Sequence, residues 1–292
     1  LAVDYVLNQG GFVNYSYRIG DARSAYHLKL STSVEGRESL ARWKALSSLL
    51  EPHHAPRILE WIDLGPAAGL LFPHVAGGTP VLGEKIIDAI LPVLSRLGAD
   101  RDLAARLNPM PALTANDAYL STFHDRFTED LNSIREAQPP FVDTGLVEWL
   151  EAEVEALADI ARATPAFAEP LSGAVHGDLW LNNILWVSSS DWHLVDWDDV
   201  RIGDPAADLA SFLGPSAHDL RPLKLRDRVV DALSASERER LQLLGRATLL
   251  DWVIDPVADW IDAVTAPAQQ REVRAEKARI HLLALGLYRQ LY

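Results

Sequence analysis

The chain contains no cysteine. Disulfides, thiolate-bound zinc and thiol nucleophiles are therefore excluded, and a reducing compartment is compatible with the sequence. Positive charge is also scarce: 27 Lys and Arg stand against 41 Asp and Glu, a net charge of −14. An acidic chain without a basic stripe is poorly suited to nucleic acid. No apolar run approaches the ~20 residues of a membrane span, and no signal peptide is visible. There is no internal repeat and no low-complexity segment. These absences lead us to expect a cytoplasmic protein with neither a nucleic-acid nor a membrane partner, its oligomeric state open. What is present is 292 residues, 48% of them hydrophobic, enough for a real core and for two lobes.

Hydrophobic periodicity changes along the chain. "FVNYSYRIG" and "SAYHLKLS" alternate, with "GDAR" between them as a hairpin turn. Gly36–Leu50 has apolar residues at helical spacing and ends before Pro52, and "APRILEWIDLG" and "AAGLLFPHV" read as two further strands. A break follows at Ala76–Thr79. Beyond it the spacing predicts helices over Glu84–Gly98, Asn116–Ala137 and Thr144–Ala163, two short strands in "NILWV" and "WHLVDW", and helix again from Pro205 onward. The expected architecture is α+β, with a small antiparallel-sheet lobe carrying one helix over residues 1–76. A larger, mostly helical lobe covers 77–292.

The chemistry concentrates in "AVHGDLWLNNILWVSSSDWHLVDWDDVRIGDPAADLA", residues 174–210. Carboxylates beside core strands are costly unless a metal, a basic side chain or solvent meets them. The order His176, Asp178, Asn183, then Asp196 at the end of the next apolar strand, suits phosphoryl transfer. That reaction needs a carboxylate to take or orient the proton of the attacking hydroxyl. It also needs oxygen ligands for Mg²⁺ and a lysine for the phosphates. Asn182 competes with Asn183 as the loop residue, and the five-residue step from Asp178 selects Asn183.

"HGDLWLNNILW…LVDWDD…GDPAADLA" resembles the catalytic segment of the aminoglycoside phosphotransferase and choline kinase superfamily, whose members are protein-kinase-like enzymes acting on small molecules. The resemblance implies a bilobal protein-kinase-like fold. It implies that Asp178 is the catalytic base and that Asn183 and Asp196 hold Mg²⁺. His176 would brace the loop, and Asp204 and Asp208 would act as helix N-cap and loop brace. Asp198 and Asp199 fit either a substrate or supporting contact or a solvated turn. His-Gly-Asp in place of His-Arg-Asp, and Asp-Trp-Asp in place of Asp-Phe-Gly, set the chain apart from protein kinases.

On the nucleotide side, the resemblance places the phosphate-binding lysine at Lys29, on the strand before the first helix. Its expected acidic partner on that helix is Glu38, with Glu35 as the rival. "NQGGFVNYSYRIG" is similar to the family's phosphate-covering strand-turn-strand, in which Gly10 and Gly11 allow close backbone approach. "LLFPHVAGG" matches the inter-lobe linker, where the Pro73 carbonyl and the Val75 N–H would take adenine and His74 would face solvent.

For the acceptor, "LLDWVIDPVADWIDAV" sets Asp251, Asp255, Asp259 and Asp262 on one helical face, with Trp252 and Trp260 displaced by one residue. Acids beside aromatics suit a cationic ligand; a solvated acidic face with buried Trp fits the same pattern, and Pro256 questions a continuous helix. Trp180, in the loop, is either a second acceptor contact or a packed core residue. The resulting expectation is an ATP- and Mg²⁺-dependent phosphotransferase acting on a hydroxyl of a small molecule. That molecule could be an aminoglycoside, an amino sugar, a choline-like alcohol or a sugar. The alternative is a non-catalytic nucleotide-binding homologue used for sensing or scaffolding.

Overall fold

A computed structural model of the chain describes residues 2–6, 14–21, 24–107, 113–214, 229–231, 233–262 and 271–292. By packing, these residues divide into two compact units. Residues 1–108 and 173–202 form the first, and residues 109–172 and 203–292 the second. This is a grouping by contact, whereas the sequence was divided at 76/77 by expected role.

The first unit is built on a five-stranded antiparallel sheet of order β1-β2-β3-β5-β4. Its strands are β1 (Ala2–Val6), β2 (Tyr15–Gly20), β3 (Ala25–Ser31), β4 (Glu60–Asp63) and β5 (Ala68–Pro73). The alternation read from the sequence becomes a register that pairs Tyr15 with Leu30 and Gly20 with Ala25. One helix, α1 (Val34–Leu50), follows β3; Ser33 caps it by accepting a 3.0 Å bond from the Gly36 N–H. Leu40, Trp43, Leu46 and Leu50 line its buried face, and Trp43 meets Phe72 of β5 with ring centroids 5.0 Å apart. Each such fully buried side chain contributes about 1.5–3 kcal/mol.

The unit continues through α2 (Glu84–Ala99) and α3 (Arg101–Leu107), the latter a short helix not expected from the spacing. It is completed by β6 (Ala174–Val175), β7 (Ile184–Ser188), β8 (Asp191–Leu194) and β9 (Arg201–Ile202). These short strands form two antiparallel pairs, β6 with β9 and β7 with β8.

The second unit is helical. It contains α4 (Ala115–Tyr119), α5 (Asp125–Ala137), α6 (Thr144–Ala163), α7 (Pro205–Leu213), α8 (Ala235–Asp262) and α9 (Arg271–Leu291). The helix expected over Asn116–Ala137 carries a π-helical stretch, Leu120–His124, between α4 and α5. The expected bounds of α6 hold, with Asp143 capping its first turn by accepting from the Leu146 N–H at 2.8 Å. α8 runs unbroken through Pro256. Proline removes the helical donor that would have reached the Trp252 carbonyl, and the adjacent Val253 carbonyl lies 2.6 Å from Nδ1 of the fully buried His281. Among the described residues no helix is long and apolar enough to cross a membrane.

Candidate functional site

The β7–β8 hairpin positions the acidic loop. Ile184 pairs with Leu194, and the Val195 N–H extends the ladder to the Asn183 carbonyl at 2.9 Å. Asn183 and Asp196 therefore flank the open end of one hairpin. Asp196 takes a left-handed conformation, φ 67°, which is uncommon for a residue with a side chain.

The preceding loop is held from both sides. His176 is fully buried, its Nε2 3.0 Å from the Val195 carbonyl and its Nδ1 3.4 Å from the Asp178 N–H. With Nδ1 as acceptor, Nε2 carries the proton and donates to Val195. His176 thus braces the loop, as the sequence suggested. Gly177 has φ 90°, and a Cβ there would meet the Asp199 carbonyl oxygen at 2.3 Å. Asn183 is 6% exposed and donates from Nδ2 to both the Asp178 carbonyl, at 2.8 Å, and the Asp178 carboxylate, at 2.9 Å. The five-residue step across the short turn Leu181–Asn183 puts Asn183, not Asn182, against Asp178.

Lys29 is only 6% exposed. Its ammonium donates to the Asp196 carboxylate and, at 2.8 Å, to Asp198 Oδ2. Burial acts to lower its pKa, but the two carboxylates outweigh burial and raise it. The expectation of a helix partner is corrected here: Glu38 and Glu35 are exposed on α1, and the partners of Lys29 come from the loop after β8. The physical reason is desolvation, since a buried ammonium requires carboxylates within reach, and the loop after β8 supplies two. Asp198 is 9% exposed and accepts from Asn14 Nδ2 at 2.7 Å as well. Burial, with Asp196 adding to it and Lys29 opposing, pushes its carboxyl up to about 6. Asp199 beside it is exposed.

Among the other expected site residues, Pro73 ends β5 in an exposed position, His74 is exposed, Val75 is half-buried, and Trp180 is half-buried in the loop. Gly10 and Gly11 lie outside the described residues. Asp204 caps α7 by accepting from the Ala206 N–H at 3.0 Å, as expected, and it also binds Arg240 Nε at 2.7 Å.

The acidic face of α8 is met by cations of the chain itself. Arg126 of α5 pairs with Asp251 at 2.6 Å and with Asp255 at 3.5 Å, and Lys277 of α9 pairs with Asp259. The guanidinium of Arg274 lies 4.0 Å from the Trp260 ring centre. Trp252 is half-buried. Surrounding protein, reinforced by Asp251 and Asp259 against Lys277 and Arg126, pushes Asp255 up to about 8. Asp130 rises to about 6, by burial first, with Asp251 adding to it and Arg126 opposing. The ingredients of a cation site were legible in the helical spacing. The basic residues that already occupy that face were not, because they come from α5 and α9.

Comparison with known proteins follows the same lines. A model of the phosphotransferase enzyme family (APH) matches residues 4–244. Viomycin phosphotransferase of Streptomyces vinaceus is 31% identical over 191 residues, 64% of this chain and 53% of that protein. The chain thus spans about half the length of that curated relative. A spectinomycin phosphotransferase solved with ADP and spectinomycin superimposes with a TM-score of 0.62 at 12% identity, covering 96% of this chain and 88% of that one. An ethanolamine kinase of Plasmodium vivax gives a TM-score of 0.60 at 13% identity, covering 99% and 84%. At these identities the structural likeness establishes the fold, which is the expected kinase-like α+β class.

Proposed function

We propose a reaction from the premise that the chain belongs to the phosphotransferase enzyme family. It transfers the γ-phosphate of ATP, with Mg²⁺, to a hydroxyl of a small molecule, in the cytoplasm. The observation that carries this reading is the pair of bonds from Asn183 to Asp178 in the same compact unit as the pair of buried Lys29 with Asp196. In this reading the Asp178 carboxylate accepts the proton of the attacking hydroxyl, and Asn183 holds that carboxylate in one orientation. Lys29 neutralises phosphate charge. The Pro73 carbonyl and the Val75 N–H receive adenine, and Gly10 and Gly11 are assigned to the phosphates.

The donor set fits Mg²⁺. Asn183 spends its amide nitrogen on Asp178, which leaves its carbonyl oxygen as a hard donor, and Asp196 adds a carboxylate. Mg²⁺ prefers such oxygens and takes few from protein. Bound there, it would neutralise charge on the phosphates. For the acceptor, the proposed set on α8 is Asp251, Trp252, Asp255 and Asp259, of whose acids Asp255 has the most exposed side chain, 45%; Trp180, in the first unit, is a separate proposed contact.

The test is ADP release from Mg²⁺–ATP with a panel of aminated and neutral alcohols, in wild type and Asp178→Asn. Asp178-dependent turnover supports the reaction. Tight ATP binding with no turnover on any alcohol would instead favour the non-catalytic reading.

A further inference from the structure

Three elements of the first unit converge on one residue. Asn14, at the start of β2, donates to Asp198 Oδ2 at 2.7 Å. Lys29 of β3 donates to the same oxygen at 2.8 Å. Arg42 of α1 donates to the Asp198 main-chain carbonyl. The neighbouring Asp199 is exposed, so the convergence selects Asp198 and is not a property of the acidic run.

A kinase-like site requires its lysine to be held in one place, because a flexible four-carbon side chain otherwise spreads its charge over many positions. The helix that would supply the holding acid does not do so here, since Glu35 and Glu38 face solvent. Asp196 also touches Lys29, but it is more exposed than Asp198 and is the proposed Mg²⁺ ligand, so its carboxylate would be shared between the metal and the ammonium. Asp198 is left with the geometry for that task. It is buried and fixed through its backbone by α1, and its Oδ2 receives both the lysine and the residue that closes the β1–β2 connection.

We infer that Asp198 is the positioning residue for Lys29, doing through the loop after β8 what an acid on α1 would otherwise do. Through Asn14 it also ties the start of β2 to that lysine. This rests on the proposed function only in assuming that Lys29 meets phosphate. Among the described residues the second oxygen of Asp198 is buried without a hydrogen-bond partner, so a direct metal-ligand role is the alternative to be tested against.

The experiment compares wild type, Asp198→Asn, Lys29→Met and the double variant, with Asn14→Ala as a gentler variant should Asp198→Asn fold poorly. Positioning through Lys29 predicts that Asp198→Asn raises the KM for ATP roughly 10- to 100-fold, the scale of one hydrogen bond to a charged group. The half-saturating Mg²⁺ concentration stays unchanged, and the same substitution adds almost nothing in the Lys29→Met background. Asn14→Ala moves KM in the same direction by less. A shifted Mg²⁺ requirement, or a full effect that persists without Lys29, would overturn the inference in favour of metal ligation.

A readout independent of catalysis is the rate at which acetic anhydride acylates Lys29 in the nucleotide-free protein, followed by peptide mass spectrometry. Faster labelling in Asp198→Asn is expected, and an unchanged rate counts against the inference. If wild type fails to turn over ATP at all, the proposed function falls, while this labelling still decides whether Asp198 holds Lys29.

Discussion

Asn183 Nδ2 donates at once to the main-chain carbonyl and to the carboxylate of Asp178, at 2.8 and 2.9 Å. One amide thereby fixes both the loop and the orientation of its acid. Replacing Asp178 by Asn keeps the shape and removes the proposed proton acceptor. Turnover should fall about 10²- to 10⁴-fold, the usual contribution of a general base. Circular dichroism and the melting temperature should stay close to wild type. Asn183→Ala should lower turnover too, and in addition raise the Mg²⁺ concentration required. Mg²⁺ titrations on the two variants separate these roles.

Gly177 and Gly65 both have positive φ, 90° and 81°, but only Gly177 is enclosed. Alanine at Gly65 meets nothing within 4 Å and should cost only the left-handed strain, about 1–2 kcal/mol. Alanine at Gly177 carries the same strain plus a clash with the Asp199 carbonyl oxygen, adding about 1–3 kcal/mol. Denaturant unfolding of the two variants side by side measures the difference.

Asp204 and Arg240 are both nearly inaccessible, with side-chain exposures of 3% and 4%. Arg240→Met leaves a buried carboxylate unpaired and should cost about 3–5 kcal/mol. Adding Asp204→Asn should recover most of this loss, because asparagine still caps α7 and carries no charge. A double-mutant cycle by chemical denaturation checks the prediction.

Asp255 supplies a pH test. Its folded pKa, about 8, lies above the ordinary 3.8. The folded state therefore binds the proton more tightly than the unfolded chain does. The stability so gained is complete below pH 4 and is lost as pH rises towards 8. Asp255→Asn, which cannot ionise, should melt close to wild type near pH 4–5 and above it near pH 9. A constant difference across that range would show that Asp255 titrates normally.

The legible parts of this protein were those encoded locally. The helix over Thr144–Ala163 was readable to its ends because its apolar stripe and its Asp143 cap belong to neighbouring residues. The loop contact was readable because Asp178 and Asn183 are five positions apart and meet directly. The π-helical stretch at Leu120–His124 was invisible, since it leaves the apolar spacing nearly intact.

Charge partnership was the part that sequence could not assign. Lys29 and Asp196 are 167 positions apart, and Arg126 and Asp251 are 125 apart. A list of acids and bases holds no distances, so Glu38 looked as suitable for Lys29 as any other acid. The sequence alone determined the family and the kinase-like fold class, because motif, turn and periodicity act over a few bonds. The tertiary structure alone decided that Asp196 and Asp198 meet Lys29 and that Arg126 and Lys277 meet the acids of α8. Around Lys29 the pairing follows from burial, since an ammonium withdrawn from water is stable only beside opposite charge. The partly exposed Arg126, by contrast, meets the acids of α8 because the packing of α5 against α8 brings them within reach.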